Sequence, residues 1–181
     1  MVLEIYDYFI LTFLVSYLLV LVYIRHRGTE IVVPQLDKRK DFVVEARDKK
    51  SITLSTVVEF ANVGKQSALI VDAICKPQLP FEQYDGIAVR GKAEREGYPR
   101  EDDYFEALVL EHQQSVNLIA KVTLTARKGM SIEEALSHMV DFPVELIYRE
   151  VGRNPMKFSI ARIMLTTEEL SRVTGVKILT D

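Results

Sequence analysis

The chain has no tryptophan, one cysteine and three histidines among its 181 residues. A single cysteine excludes an intramolecular disulfide and any multi-cysteine zinc site. Without tryptophan and with Cys75 alone, the Cys…Trp…Cys signature of antibody domains is absent too. Charge of one sign is also scarce: 23 Lys and Arg stand against 26 Asp and Glu, a net −3. Nucleic-acid binding usually needs a basic face, so that class is set aside. There is no G-x-S-x-G elbow, and Gly86, Gly91 and Gly97 are too scattered to cradle a phosphate. His26, His112 and His138 lack a second histidine at helical spacing, whereas zinc needs three or four convergent ligands. The run Glu101-Asp102-Asp103 lacks EF-hand spacing and reads as solvated charge. Cys75 closes an apolar strand, where a buried thiol is inert. No catalytic residue, metal ligand set or cofactor emerges, and the chain reads as a non-enzyme.

What is present begins with a long apolar run. Residues Tyr8 to Ile24 contain no charge, no Gly and no Pro. As a helix they rise roughly 26 Å, and Ile5 and Tyr6 extend this to the width of a hydrocarbon core. Tyr8, Ile10, Leu14, Leu18, Leu21 and Tyr23 represent the lipid-facing anchor, with Tyr8 and Tyr23 at the two interfaces. Hydroxyls such as Thr12 can return their hydrogen bonds to the preceding turn. A cleaved signal peptide would want a positive start and a small-residue cleavage site, but Glu4 and Asp7 precede the run. A buried core helix would show a polar stripe, and none is visible. Arg25 and Arg27 follow the run, with Lys38, Arg39 and Lys40 beyond. Lys and Arg stay on the cytoplasmic side. The expectation is a single-pass anchor over 1–27 touching lipid through 8–24, with the N-terminus outside and the rest in the cytoplasm. Residues 28–40 read as a juxtamembrane linker, whose Lys38-Arg39-Lys40 cluster either meets anionic headgroups or serves as a solvated topology signal, the second being preferred.

Over 41–181 the hydrophobic pattern alternates, the sign of strands. Candidates are Phe42–Ala46, Ile52–Phe60, Ala68–Cys75, Tyr104–Glu111, Val116–Ala126, Val144–Glu150 and Lys157–Leu165. Asn62-Val63-Gly64-Lys65 supplies turn chemistry and suggests that the second and third form a hairpin. Ser131 with Glu134, and Thr166 with Glu169, have capping-box spacing and start two short helices. Seven strands joined mostly by short turns predict a mainly β fold: an antiparallel, immunoglobulin- or fibronectin-like sandwich of about seven strands with two short helices.

Residues 76–103 show little periodicity and read as a long loop, a class that is often functional, with Ile87–Arg90 as an optional edge strand. Tyr84, Arg90, Arg95, Tyr98 and Arg100 alternate there with acids, and tyrosine and arginine are enriched at interfaces. They are the candidate partner-binding residues. The expected function is a membrane-anchored, non-enzymatic interaction module, an adaptor or accessory subunit of a membrane complex, with a protein partner and no nucleic acid. The alternatives are an extracytoplasmic ligand- or envelope-binding domain, or an enzyme with its site in the loops.

Overall fold

The computed structural model of the chain describes residues 2–99, 101, 105 and 107–179. Its first element, α1 (Val2–Arg27), is a continuous helix. Tyr6–Arg27 has a mean hydropathy of 2.1, is nowhere buried, and is long and apolar enough to cross a membrane. Thr12 Oγ1 donates to the Tyr8 carbonyl at 2.8 Å, so this hydroxyl is satisfied within the helix.

The rest is a two-sheet antiparallel sandwich. One sheet runs β1 (Val32–Pro34), β3 (Ser51–Asn62), β7 (Ser115–Ala126), β5 (Ile87–Arg95), with β2 (Val43–Arg47) also paired to β3. The other runs β6 (Leu108–Leu110), β4 (Ala68–Pro77), β8 (Phe142–Val151), β9 (Lys157–Leu165). In immunoglobulin lettering these are A-B-E-D and C-F-G, the constant-type order, with β6 added beside C. The expected immunoglobulin-like sandwich is therefore present. Its core follows from alternation: Ile52, Leu54, Val58 and Phe60 of β3 and Leu118, Ala120, Val122 and Leu124 of β7 face inward, against Val144, Leu146, Ala161 and Ile163 of the other sheet. Phe60 and Tyr148 meet edge-to-face across the sheets at 5.1 Å.

Three parts differ from the sequence reading. First, β3 and β4 are not a hairpin: β3 pairs with β7, and β4 with β8. The Asn62 turn crosses between sheets. Its side-chain amide donates to Gln66 O and Leu110 O and its oxygen accepts the Gly64 N–H, which fixes the crossing. Second, 76–103 is not one loop. A 3-10 turn (Phe81–Asp85) leads into β5, an edge strand that includes the optional strand Ile87–Arg90, runs on to Arg95 and pairs with β7 over nine positions. Its inward residues include Gly91 and Ala93, too small to show a hydrophobic period. A Cβ at Gly91 would stand 2.2 Å from Cys75 O, so glycine lets β5 close against β4. Third, 28–40 is not a bare linker but carries β1 and a 3-10 turn, Leu36–Lys38. Three paired residues are too few for alternation to reveal. Tyr104 and Glu106, expected in a strand, lie outside the described residues.

Both short helices form where expected, α2 (Ile132–Ser137) and α3 (Thr167–Thr174), with Gly175 at φ 71° ending α3. Only half of each capping box is used. Ser131 Oγ accepts the Glu134 N–H, and Thr166 Oγ1 accepts the Glu169 N–H. The Glu169 carboxylate instead takes Arg39 Nη1 at 3.0 Å, Nη2 at 2.7 Å and the Phe42 N–H at 2.9 Å. Arg39 is thus spent on the fold and not on a headgroup. Burial pushes Glu169 up, but the bonds from Arg39 and Phe42 hold its carboxyl below the usual range.

The sandwich also finishes α1. A helix ends with four unpaired carbonyls. Here Ile24 O receives Arg153 Nη1 at 3.4 Å, and Arg25 O the Gly28 N–H at 3.3 Å. His26 O receives Lys65 Nζ at 3.5 Å, and Arg27 O receives Gln66 Nε2 at 2.8 Å. Glu30, only 6% exposed, accepts the Arg153 and Asn154 N–H groups and so pins the β8–β9 turn beside the helix. Gly152 is required in that turn, because a Cβ would lie 2.4 Å from the Glu30 carboxyl carbon.

Candidate interaction surface

Side chains alternate across a strand, so each sheet has an inner and an outer face. On β9, Ala161, Ile163 and Leu165 point inward, leaving Phe158, Ile160, Arg162 and Met164 outside. A bulge in β4, with Asp72 at φ 51°, turns Ile74 outward as well. The register aligns Ile74 with Ile147 of β8, and Ile147 with Ile160 of β9. An apolar row therefore crosses the outer face of the C-F-G sheet. Phe158 is 66% exposed, Ile160 56% and Ile74 51%.

The charges around this row neutralise one another. Arg162 binds Glu145 at 2.7 Å and Arg149 binds Asp72 at 3.0 Å, while the Arg149 guanidinium lies 5.0 Å from the Phe158 ring centre. Hydrogen bonds from Gln78 and Arg162 hold the Glu145 carboxyl below its ordinary range. Among the described residues β9 pairs only with β8, so its other side presents backbone donors and acceptors with no strand partner among them. The face offers apolar side chains and an open strand edge side by side, the combination used in strand addition.

The outer face of the A-B-E-D sheet is of another kind. Lys121 contacts Glu94 at 2.8 Å and Glu45 at 3.1 Å, and Lys92 reaches Glu94 at 2.8 Å. Thr53 and Thr123 hydrogen-bond each other at 3.0 Å. Burial pushes Glu94 up, but the two lysines overcome it and hold the carboxyl low.

The residues singled out from the sequence do not form one patch. Tyr84 lies in the 3-10 turn before β5, where Arg127 donates to its carbonyl at 2.7 Å. Arg90 sits in mid-strand, opposite Thr123. Arg95 and Tyr98 meet at the far end, the guanidinium 4.3 Å over the ring. At about 3.3 Å per residue, β5 alone separates the two tyrosines by roughly 25 Å. Arg100 lies outside the described residues. On α1, Tyr8, Ile10, Leu14, Leu18, Leu21 and Tyr23 are all exposed, and Arg25 and Arg27 close its last turn.

The β9 face was the feature missed. Its signal lay in the run from Phe158 to Leu165, where both parities are apolar. A strand apolar on both sides but buried on one has a spare face. For chemistry the described residues offer little. No three His, Cys, Asp or Glu converge among them. Cys75 is buried, and burial pushes its thiol up to about 12, against a thiolate at neutral pH.

No protein-family model matches the chain, and no curated protein matches it by sequence. Among solved structures the chain is similar to the GAE domain of GGA2p from Saccharomyces cerevisiae, with 10% identity and a TM-score of 0.34, over 75% of this chain and 96% of that one. It is likewise similar to the GAE domain of yeast GGA1, with 14% identity and a TM-score of 0.35, over 74% of this chain and 96% of that one. At scores this low, the strand order given above is what defines the fold.

Proposed function

We propose that the chain is a membrane-anchored, non-enzymatic interaction module, an adaptor or accessory subunit of a membrane complex. Its outer C-F-G face receives an extended segment of a protein partner along β9. The observation that carries this reading is the outward row of exposed Ile74, Ile160 and Phe158 and half-buried Ile147, beside a nine-residue strand edge with no strand partner among the described residues. Long apolar edges are normally blunted because they recruit another chain. The partner segment is apolar at alternate positions, since the local charges are already paired. The basic residues after α1 favour the cytoplasmic side for the sandwich.

The test places a photo-crosslinking phenylalanine at position 160, or at position 121 on the other sheet, in the full chain in its own membrane. The reading expects a discrete protein adduct from position 160 that is lost when Phe158 and Ile74 carry charge, and none from position 121. An adduct of twice the chain mass makes the occupant a second copy and overturns the partner. Adducts from both positions, or from neither, overturn the surface. Sidedness is read with an impermeant maleimide on Lys49→Cys, in the exposed turn before β3. Labelling only after lysis supports the cytoplasmic placement; labelling of intact cells moves the domain outside. A cysteine at Gly152 would not serve, because its Cβ would strike Glu30.

A further inference from the structure

Where α1 leaves the membrane, its last turn and the β8–β9 turn enclose a groove of about 810 Å³. One part is apolar, lined by Leu21, Val22 and Ile24; the other is polar, lined by Arg25, Thr29 and Arg153. We infer that this groove holds the phosphate of one anionic phospholipid, with the start of its acyl chains along Leu21 and Val22. The inference rests on the reading of α1 as a membrane span.

Charge complementarity carries the argument. The exposed Arg25 guanidinium has no protein partner among the described residues. Arg153 is exposed too, and only its Nη1 is engaged, with the carbonyls of Ile24 and Gly28 at 3.4 and 3.3 Å. The remaining N–H groups of two guanidinium forks can take phosphate oxygens in pairs. Two features oppose an anion here, and both are answered locally. A helix C-terminus carries a partial negative charge, but the final carbonyls of α1 are already capped by Arg153, Lys65, Gln66 and Gly28. Glu30 is the nearby carboxylate, and it is occupied by the N–H groups of Arg153 and Asn154.

Depth agrees with this occupant. Twenty-two residues from Tyr6 to Arg27 rise about 33 Å as a helix, which sets Arg25 at the headgroup level and Leu21 within the hydrocarbon. The groove has apolar and cationic walls in the same order as a lipid has chain and headgroup.

The experiment reconstitutes the full chain in nanodiscs of phosphatidylcholine doped with phosphatidylglycerol. Native mass spectrometry then counts the lipids retained after release. Wild type is expected to keep one phosphatidylglycerol in preference to phosphatidylcholine. Arg25→Gln should lower that retention about fivefold, and Arg25→Gln with Arg153→Gln by the product of two such steps. Arg25→Gln is the decisive variant, because its side chain contributes no bond to the fold. Lys49→Gln, the same charge change at the far end of the sandwich, should leave retention unchanged. Equal retention in wild type and Arg25→Gln overturns the site, as does an equal fall in Lys49→Gln. Displacement of the lipid by inorganic phosphate overturns the lipid as occupant. Failure of the chain to enter nanodiscs overturns the membrane reading, and the inference with it.

Discussion

At the middle of the A-B-E-D outer face, Lys121 is held by Glu94 at 2.8 Å and Glu45 at 3.1 Å. The middle of the C-F-G outer face is instead Ile147, with Ile74 and Ile160 to either side. The backbone plan is the same, two long antiparallel strands flanked by a third. The first face answers its own polar groups and has nothing left to offer. The second has paired its charges at the margins and left an apolar strip in water. Covering about 200 Å² of such surface is worth roughly 5 kcal/mol, before the losses of freedom that association exacts. Loops commonly carry function in a sandwich, but here the contrast between two flat faces points more directly to a binding surface.

The largest effect should come from breaking the apolar face. With the photo-crosslinking phenylalanine moved to position 74 on the same face, Phe158→Glu with Ile160→Lys is expected to cut the adduct at least about tenfold, while unfolding free energy changes by only about 0.5 kcal/mol, as for exposed sites. Denaturant titration of the full chain in detergent, beside the adduct yield, checks both halves. Next comes the polar face. Lys121→Met leaves Glu45 unpaired and Glu94 with Lys92 alone, and should cost about 2 kcal/mol, less than a fully buried pair because Lys92 remains. The same titration measures it, and the adduct should be untouched.

Acid sharpens the comparison further. The Glu94 and Glu169 carboxyls are held below the usual 4.5 in the folded chain. Between the folded and unfolded values the unfolded chain binds more protons, so stability rises with pH. The contribution is complete above the unfolded value and is lost as pH falls through the lowered one. Denaturation midpoints should therefore be flat from about pH 7 to about pH 5 and decline below about pH 4. Lys121→Met should show a shallower decline, since Glu94 is then held less low. The smallest effect is expected for Thr53→Val with Thr123→Val. Removing both partners of one hydrogen bond leaves no orphan, and stability should move by no more than about 0.5 kcal/mol.

What could be read in the sequence tracks how one-sided each element is. Residues 8–24 declared a helix because nothing polar interrupts them. β3 and β7 were plain because one parity is buried throughout. The first half of β5 was legible as the optional edge strand Ile87–Arg90, but its continuation to Arg95 was hidden because Gly91 stands where β5 closes on β4, and a missing side chain has no hydropathy. β1 was hidden by length. The β9 face was overlooked for the opposite reason: Phe158, Ile160 and Met164 fill the parity that solvent should claim, so the pattern marks neither side of the strand as the outer one. The pairing of Arg39 with Glu169 joins residues 130 apart, and capping-box spacing pointed Glu169 to its own helix instead. Tyr84 and Tyr98 are close in sequence but are held apart by the strand between them.

The capped end of α1 has a mechanical consequence. Because Arg153, Lys65 and Gln66 each grip one of its last carbonyls, the helix has no free hinge at the point where it meets the sandwich. A rod in a bilayer tilts when the bilayer thins or thickens. With twelve-residue strands spanning about 40 Å, a tilt of about 10° would carry the far end of the domain sideways by roughly 7 Å. Under the proposed anchoring of α1 in a bilayer, the helix is then also a lever, and the β9 face would swing with it relative to whatever stands beside it in the membrane.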